Sequence, residues 1–285
     1  MSLPIRGRGR NRRSRPARAS AARISRARLL GAAGVALAAV GAWLLAGGGV
    51  FSLAPGGLDL EGAHYTSAAQ VRAALGLRPG QEPNLVTLHT TVAEAALRRL
   101  PAVDSGRSDG VEVRVILPDR LAVTLHERTP ILVWATGGGR FLADTTGRLF
   151  AATPADGAVA AGLPEVDDRR ATDARFGLGD TLDAVAFAAA RRLGAVTPAR
   201  IGSTAAGLHL TLDDEDGFSL STAAGWRAVF GIYTPTIRPP GLVDRQIQCL
   251  GSLLRGREKM LETIYLAPSG DGCGTFTTRS AGDGG

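Results

Sequence analysis

The pair His126-Glu127 is the first place in this sequence where residue types suggest chemistry, because His-Glu opens a common zinc-binding helix motif. That motif needs a second histidine three positions after the glutamate, on the same helix face. Residue 130 is a proline, which cannot continue a helix. The preceding residues alternate in polarity like a strand after the turn at Pro118. We therefore interpret residues 126–130 as the boundary between two domains.

Two further stretches resemble functional motifs but lack the required context. The stretch GRSDG (106–110) has the spacing of a nucleophile elbow, which lies between a strand and a helix, yet here the alternating strand pattern follows it. The acidic stretch DDEDG (213–217) could suggest calcium, but the loop motif would need an acid at position 212, which is Leu212. We interpret the first as a glycine-rich turn and the second as a charged hairpin tip.

No remaining group of side chains has the spacing of a cofactor, metal or catalytic site. The histidines are scattered, the stretch DDRR (167–170) is typical of a solvated loop, and no phosphate-binding or dinucleotide-binding glycine motif occurs. We therefore expect a protein that is not an enzyme and has no catalytic, cofactor-binding or metal-binding residues. Paired carboxylates that cleave a glycan can be distant in sequence, which keeps a membrane-anchored peptidoglycan hydrolase open as an alternative.

The positive charge of the chain is concentrated at its N-terminus. Residues 1–28 contain ten arginines and no acidic residue, whereas the formal net charge of the whole chain is +7, so residues 29–285 carry −3. This distribution argues against a nucleic-acid-binding domain. The basic tail can bind anionic lipid or dock to a cytoplasmic protein, and the first interpretation needs no specific partner.

Residues 29–54 contain no charged side chain. As a helix this run would extend about 39 Å, more than the roughly 30 Å of a bilayer's hydrocarbon core. We predict a transmembrane signal anchor, with the arginines holding the N-terminus in the cytoplasm and the bulk of the chain outside the membrane. Cleavage as a signal peptide after Ala54 is the alternative. Cys249 and Cys273 would lie in an oxidising compartment, where they can form a disulfide or remain free.

The polarity patterns after residue 54 predict two α+β units. The first has the order strand, helix, helix, strand, strand, and the second is rich in short strands with two helices. The predicted organisation is as follows: a basic cytoplasmic tail (1–28), the anchor (29–54), the first unit (55–128), the β-rich unit (129–267) and a flexible Gly-rich tail (268–285). In the second unit the patterns predict a hairpin over 141–150, helices over 183–193 and 244–254, and a last strand over 262–266.

The order of these parts, together with several short motifs, resembles the bacterial cell-division proteins of the FtsQ/DivIB family. The carriers are LGLRPG (75–80) with Asn84-Leu85, LPAV (100–103), LPDRL (117–121), ERTP (127–130) with Trp134, and FLADTTGRLF (141–150). The resemblance covers residues 56–150 well and 151–267 loosely. It implies that the first unit is a POTRA-type domain and that the second is the family's β domain.

The resemblance further implies a non-enzymatic scaffold of the divisome, located in the cell membrane at the division septum. Its expected partners are the small coiled-coil proteins FtsB/DivIC and FtsL and the septal peptidoglycan synthases FtsW and FtsI. In this family the β domain offers its last strand edge to the partner, and a free edge can pair with a partner strand. The residues that correspond here are Glu262, Thr263, Ile264, Tyr265 and Leu266. A POTRA protein of another export system is a further alternative.

Overall fold

The computed structural model describes residues 26–47, 49–78, 82–155, 157–171, 176–223, 225–269 and 272–279. Most of the basic tail and the last residues of the Gly-rich tail lie outside these ranges. The uncharged run coincides in part with helix α1 (Arg26–Gly47), and a short 3-10 turn (Gly49–Phe51) follows it. Within the described part of the chain, no helix has the length and apolar character to cross a membrane. The transmembrane anchor therefore stays a prediction.

The first unit has the predicted order of strand, helix, helix, strand and strand. Its elements are β1 (Leu58–Glu61), α2 (Ala68–Ala74), α3 (Thr90–Leu97), β2 (Val111–Ile116) and β3 (Arg120–Leu125). The central strand, β3, pairs with β1 in parallel and with β2 in antiparallel register. Alternate residues of the strands face the two helices, and their apolar side chains form one core with Val71 and Leu97.

The two helices of this unit begin differently from each other. Ser67 caps α2: its side chain accepts a hydrogen bond from the Gln70 amide, and the Gln70 side chain accepts one from the Ser67 amide. Helix α3 has no such cap, because Thr90 is already its first helical residue. His89 occupies the cap position without a side-chain hydrogen bond.

The second unit is built on a nine-stranded mixed sheet, in the order β12-β11-β10-β9-β8-β7-β4-β5-β6. The 141–150 hairpin is confirmed as the pair β5 and β6. The strand predicted over 262–266 is confirmed as β11, but it is not the last strand, because β12 follows it. The strands are β4 (Leu132–Thr136), β5 (Gly139–Ala143), β6 (Leu149–Ala152), β7 (Glu165–Asp168), β8 (His209–Asp213), β9 (Gly217–Ser221), β10 (Arg227–Gly231), β11 (Leu261–Leu266) and β12 (Gly274–Thr278).

Two helices, both predicted from the sequence, cover one face of this sheet. They are α4 (Ala184–Gly194), capped by Asp183, and α5 (Val243–Leu254). Their apolar faces pack on inward-facing strand residues in the main core, which includes Trp134, Trp226 and Phe230. On the opposite face, a smaller core at the β4–β6 end holds Val133, Leu142, Phe150 and, from the first unit, Ala102.

Two predictions about loops are wrong. The Gly-rich tail is not wholly flexible, because its residues Gly274–Thr278 form β12, which pairs antiparallel with β11. The stretch 167–170 is not a solvated loop: Asp168 is a buried residue of β7. Its carboxylate accepts a hydrogen bond from Trp134 Nε1 at 3.0 Å and pairs with Arg170 at 2.9 Å, which compensates its burial.

Candidate partner-binding edge

The predicted partner strand, β11, is not an edge of the sheet in this structure. It lies between β10, with which it runs parallel, and β12, with which it runs antiparallel. The prediction of an edge at Glu262–Leu266 is therefore wrong, because the chain returns after residue 272 and satisfies the outer backbone groups of β11. Among the described residues, the free edge at this end of the sheet belongs to β12.

The five predicted residues of β11 fall on different faces. Ile264 and Leu266 are buried in the main core, whereas Tyr265 is 46% exposed on the face without helices. Glu262 is exposed and Thr263 is half-buried. The strand therefore holds its place through core side chains and presents one large aromatic side chain to solvent.

β12 contributes almost nothing to the core, since all five of its residues are exposed. Phe276 is 40% exposed and lies under the Arg257 guanidinium, 5.5 Å from the ring centroid to Cζ. Sequence reasoning missed this strand, although the alternating β-branched and aromatic residues of TFTT, after a glycine, are a strand signal. The Gly-rich surroundings concealed that signal.

A disulfide holds the start of β12 against helix α5. The structure joins Cys249, a buried residue of α5, to Cys273, with 5.0 Å between the two Cα atoms. The next residue, Gly274, has a φ of +116°, and a Cβ there would lie 1.9 Å from the Tyr265 carbonyl oxygen. Only glycine can therefore make this close approach to β11.

Polar side chains fix α5 and the chain that follows it beneath the sheet end. Buried Gln246 donates through Nε2 to the Phe230 and Ala267 carbonyls, at 3.2 and 3.0 Å, linking α5 to β10 and to the end of β11. The Glu258 carboxylate accepts hydrogen bonds from Ser203, from Thr204 and from Trp226 Nε1. Burial alone would raise the pKa of Glu258, but these donors lower it to about 2.

His126-Glu127 is a domain boundary rather than the start of a metal site. The two carboxylate oxygens of Glu127 accept hydrogen bonds from the backbone amides of His64, Tyr65 and Thr66, at 2.6 to 2.8 Å. Tyr65 in turn contacts Phe150 of the sheet in a T-shaped, edge-to-face arrangement, with 5.2 Å between ring centroids. The glutamate thus orders a loop of the first unit that packs against the second.

Arg128 continues this connection into the sheet domain. It donates from Nε to the Pro101 carbonyl at 3.2 Å, and its guanidinium pairs with Asp144, both side chains being nearly buried. Burial would raise the pKa of Asp144, but hydrogen bonds from Thr146, Arg128 and the Arg148 amide lower it.

The other stretches singled out from the sequence have structural roles here. Residues 106–110 form a turn directly before β2, without the strand–helix context of an elbow. Asp213 starts the turn between β8 and β9, accepting hydrogen bonds from the Glu215 and Asp216 amides, and Arg227 pairs with both aspartates. Within the described ranges, no cluster of His, Cys, Asp and Glu could hold a metal ion.

The fold defines a protein with a small α+β domain joined to a large mixed-sheet domain. Residues 58–128 match the family model described as "POTRA domain, FtsQ-type". The chain is also 31% identical over 179 residues to "Cell division protein FtsQ" of Chloroflexus aurantiacus (strain ATCC 29366 / DSM 635 / J-10-fl). That match covers 61% of this chain and 59% of the relative. The resemblance to the FtsQ/DivIB family is thereby confirmed.

Proposed function

We propose that this protein is a non-enzymatic scaffold of the bacterial divisome that recruits partner proteins at the β11–β12 end of its sheet. The observation that carries the proposal is the combination of a terminal strand without buried side chains and the exposed Tyr265 beside it. A strand edge at the end of a sheet offers backbone donors and acceptors to an extended partner segment, and an aromatic side chain anchors such contacts. The family resemblance supports a role in division.

The partners that this proposal names are small coiled-coil division proteins of the FtsB/DivIC and FtsL type. Through them the scaffold connects to the septal synthases FtsW and FtsI. The contacts of Glu127 and Arg128 at the domain boundary support a scaffold, because they hold the POTRA domain and the sheet domain in one relative orientation. The POTRA domain provides a second surface for these partners.

The proposed location is the cell membrane at the septum, with the N-terminus in the cytoplasm. Its support is the uncharged run 29–54 after the ten arginines, and the exposed apolar side chains of α1, such as Leu30, Leu37 and Trp43. Anionic lipid at the inner leaflet attracts the basic tail.

A fluorescent fusion of the full chain, expressed in the cells that naturally contain this protein, tests the proposed function. We expect a septal band that forms together with constriction, and filamentous cells when the protein is depleted. An even distribution around the envelope, with normal division after depletion, would favour the POTRA protein of an export system. Cell-wall degradation by the purified protein, lost on substitution of an Asp or Glu, would favour the hydrolase.

A further inference from the structure

The last described strand sits in the place where a partner strand would pair. β12 matches β11 through four antiparallel residue pairs, Leu261 with Thr278 and then, after a bulge, Ile264 with Phe276, Tyr265 with Thr275 and Leu266 with Gly274. It thereby covers the edge of a strand that is otherwise anchored in the core. Any segment that binds the β11 edge must first displace β12.

The attachment of β12 is weak apart from one covalent bond. None of its side chains is buried, and a strand at the edge of a sheet with few buried apolar contacts opens at a low free-energy cost. Its further contacts include the Arg257–Phe276 stacking, a hydrogen bond from the Thr263 amide to Thr277 Oγ1 at 3.2 Å, and one from the Arg279 amide to the Met260 carbonyl at 2.9 Å. The Cys249–Cys273 disulfide lies directly before the strand and ties its start to buried α5.

We infer that β12 is an internal occupant of the partner-binding edge, held in place by the Cys249–Cys273 disulfide and released when a dithiol reductant opens it. The inference rests on the proposed function and deepens it: the partner segment pairs with β11, in the position that β12 occupies, and not with the outer edge of β12. The oxidised protein keeps β11 covered, whereas the reduced protein lets an extended partner segment replace β12.

The chemistry is thiol–disulfide exchange with a dithiol oxidoreductase of the extracytoplasmic space. A thiolate of the reductant attacks the sulfur of Cys273, the more exposed of the two cysteines, and the S–S bond breaks. Cys249 leaves as a thiolate and takes up a proton. The second thiol of the reductant, as a thiolate, then attacks the reductant's first sulfur in the mixed disulfide, and Cys273 leaves as a thiolate and takes up a proton. Two electrons thereby pass to this protein, and the reductant becomes a disulfide.

The release of β12 is tested with a synthetic peptide that has the sequence of residues 272–279 with Cys273→Ser. This peptide has the register needed to pair with β11. Its matched control carries Gly274→Val as well, because a side chain at that position collides with the Tyr265 carbonyl. Both are titrated against the full chain in nanodiscs, as oxidised wild type and as Cys249→Ser/Cys273→Ser, which leaves no thiol.

We expect the serine variant to bind the probe at least about tenfold more tightly than oxidised wild type, and the control peptide to bind neither. Hydrogen exchange at residues 275–278 should be at least about tenfold faster in that variant, with exchange in β9 unchanged. Equal affinity or equal exchange in the two forms would overturn the inference.

A second variant covers the case in which the serine protein does not fold. Gly274→Val keeps both cysteines, and it should expose β11 to the probe while the disulfide stays intact. A probe affinity equal to that of oxidised wild type would again overturn the inference. The titration uses no division partner, so its failure is distinct from a failure of the proposed function, which the septal localisation experiment reports.

Discussion

At the scale of single residues, Glu258 shows how one carboxylate can secure the region below the candidate edge. It joins the chain after α5 to the 203–204 turn and to fully buried Trp226. Because the donors act on the ionised form, they stabilise the fold and lower the pKa together. The same residue therefore links stability to pH.

Glu258→Gln should lower the free energy of unfolding by about 1–3 kcal/mol at pH 7, since it loses charge-assisted hydrogen bonds. The depressed pKa makes this contribution full above the unfolded-state pKa of about 4.5 and progressively lost as pH falls towards about 2. Denaturant unfolding of both proteins between pH 7 and pH 3 measures the difference. A difference that does not shrink at low pH would contradict the assignment, and exposed Glu262→Gln is the matched control.

Arg128 is the second residue whose removal should have a large effect. Arg128→Ala leaves the buried Asp144 carboxylate without its cationic partner, and we expect a loss of about 3 kcal/mol in the free energy of unfolding. Arg120→Ala removes an exposed pair with Asp59 and should cost less than about 1 kcal/mol. Similar losses of unfolding free energy in the two variants would show that the Arg128–Asp144 pair does not stabilise the domain boundary.

At the scale of elements, β12 is the strand that covers β11 at the candidate edge. Gly274→Val should detach it, whereas Gly272→Val, where a Cβ meets no other atom, should leave the strand in place. Limited proteolysis of the two full-length variants measures this, and we expect cleavage near residues 275–279 to be faster only in the first. Equal cleavage would contradict the requirement for glycine at position 274.

The sequence predicted an element well when the element's own residues stabilise it, and poorly when distant residues do. The POTRA helices and strands carry their own polarity patterns and a capping box, so sequence alone predicted their order. β12 has little pattern of its own and exists because β11 supplies hydrogen-bond partners, which a local pattern does not show. Asp168 looked solvated for a similar reason: its partner Trp134 is 34 residues away.

At the scale of the whole molecule, the two domains form one connected body with its candidate contact surface at the far end of the sheet. The POTRA domain packs near β4–β6, whereas β11 and β12 close the opposite end. In the proposed topology the POTRA domain follows the anchor directly. In that topology the sheet would carry the proposed binding edge away from the membrane.

The most direct test of the scaffold proposal is a binding titration of the full chain in nanodiscs against the FtsB/DivIC-type protein of the same cells. Tyr265→Lys is compared with Ile116→Lys, because Tyr265 and Ile116 are similarly exposed, at 46% and 45%, on different domains. We predict that wild type and Ile116→Lys bind the partner, under conditions that reduce the disulfide, and that Tyr265→Lys binds at least about tenfold more weakly while still folding. Absence of wild-type binding, or equal binding by all three proteins, would contradict the assignment of the partner to this end of the sheet.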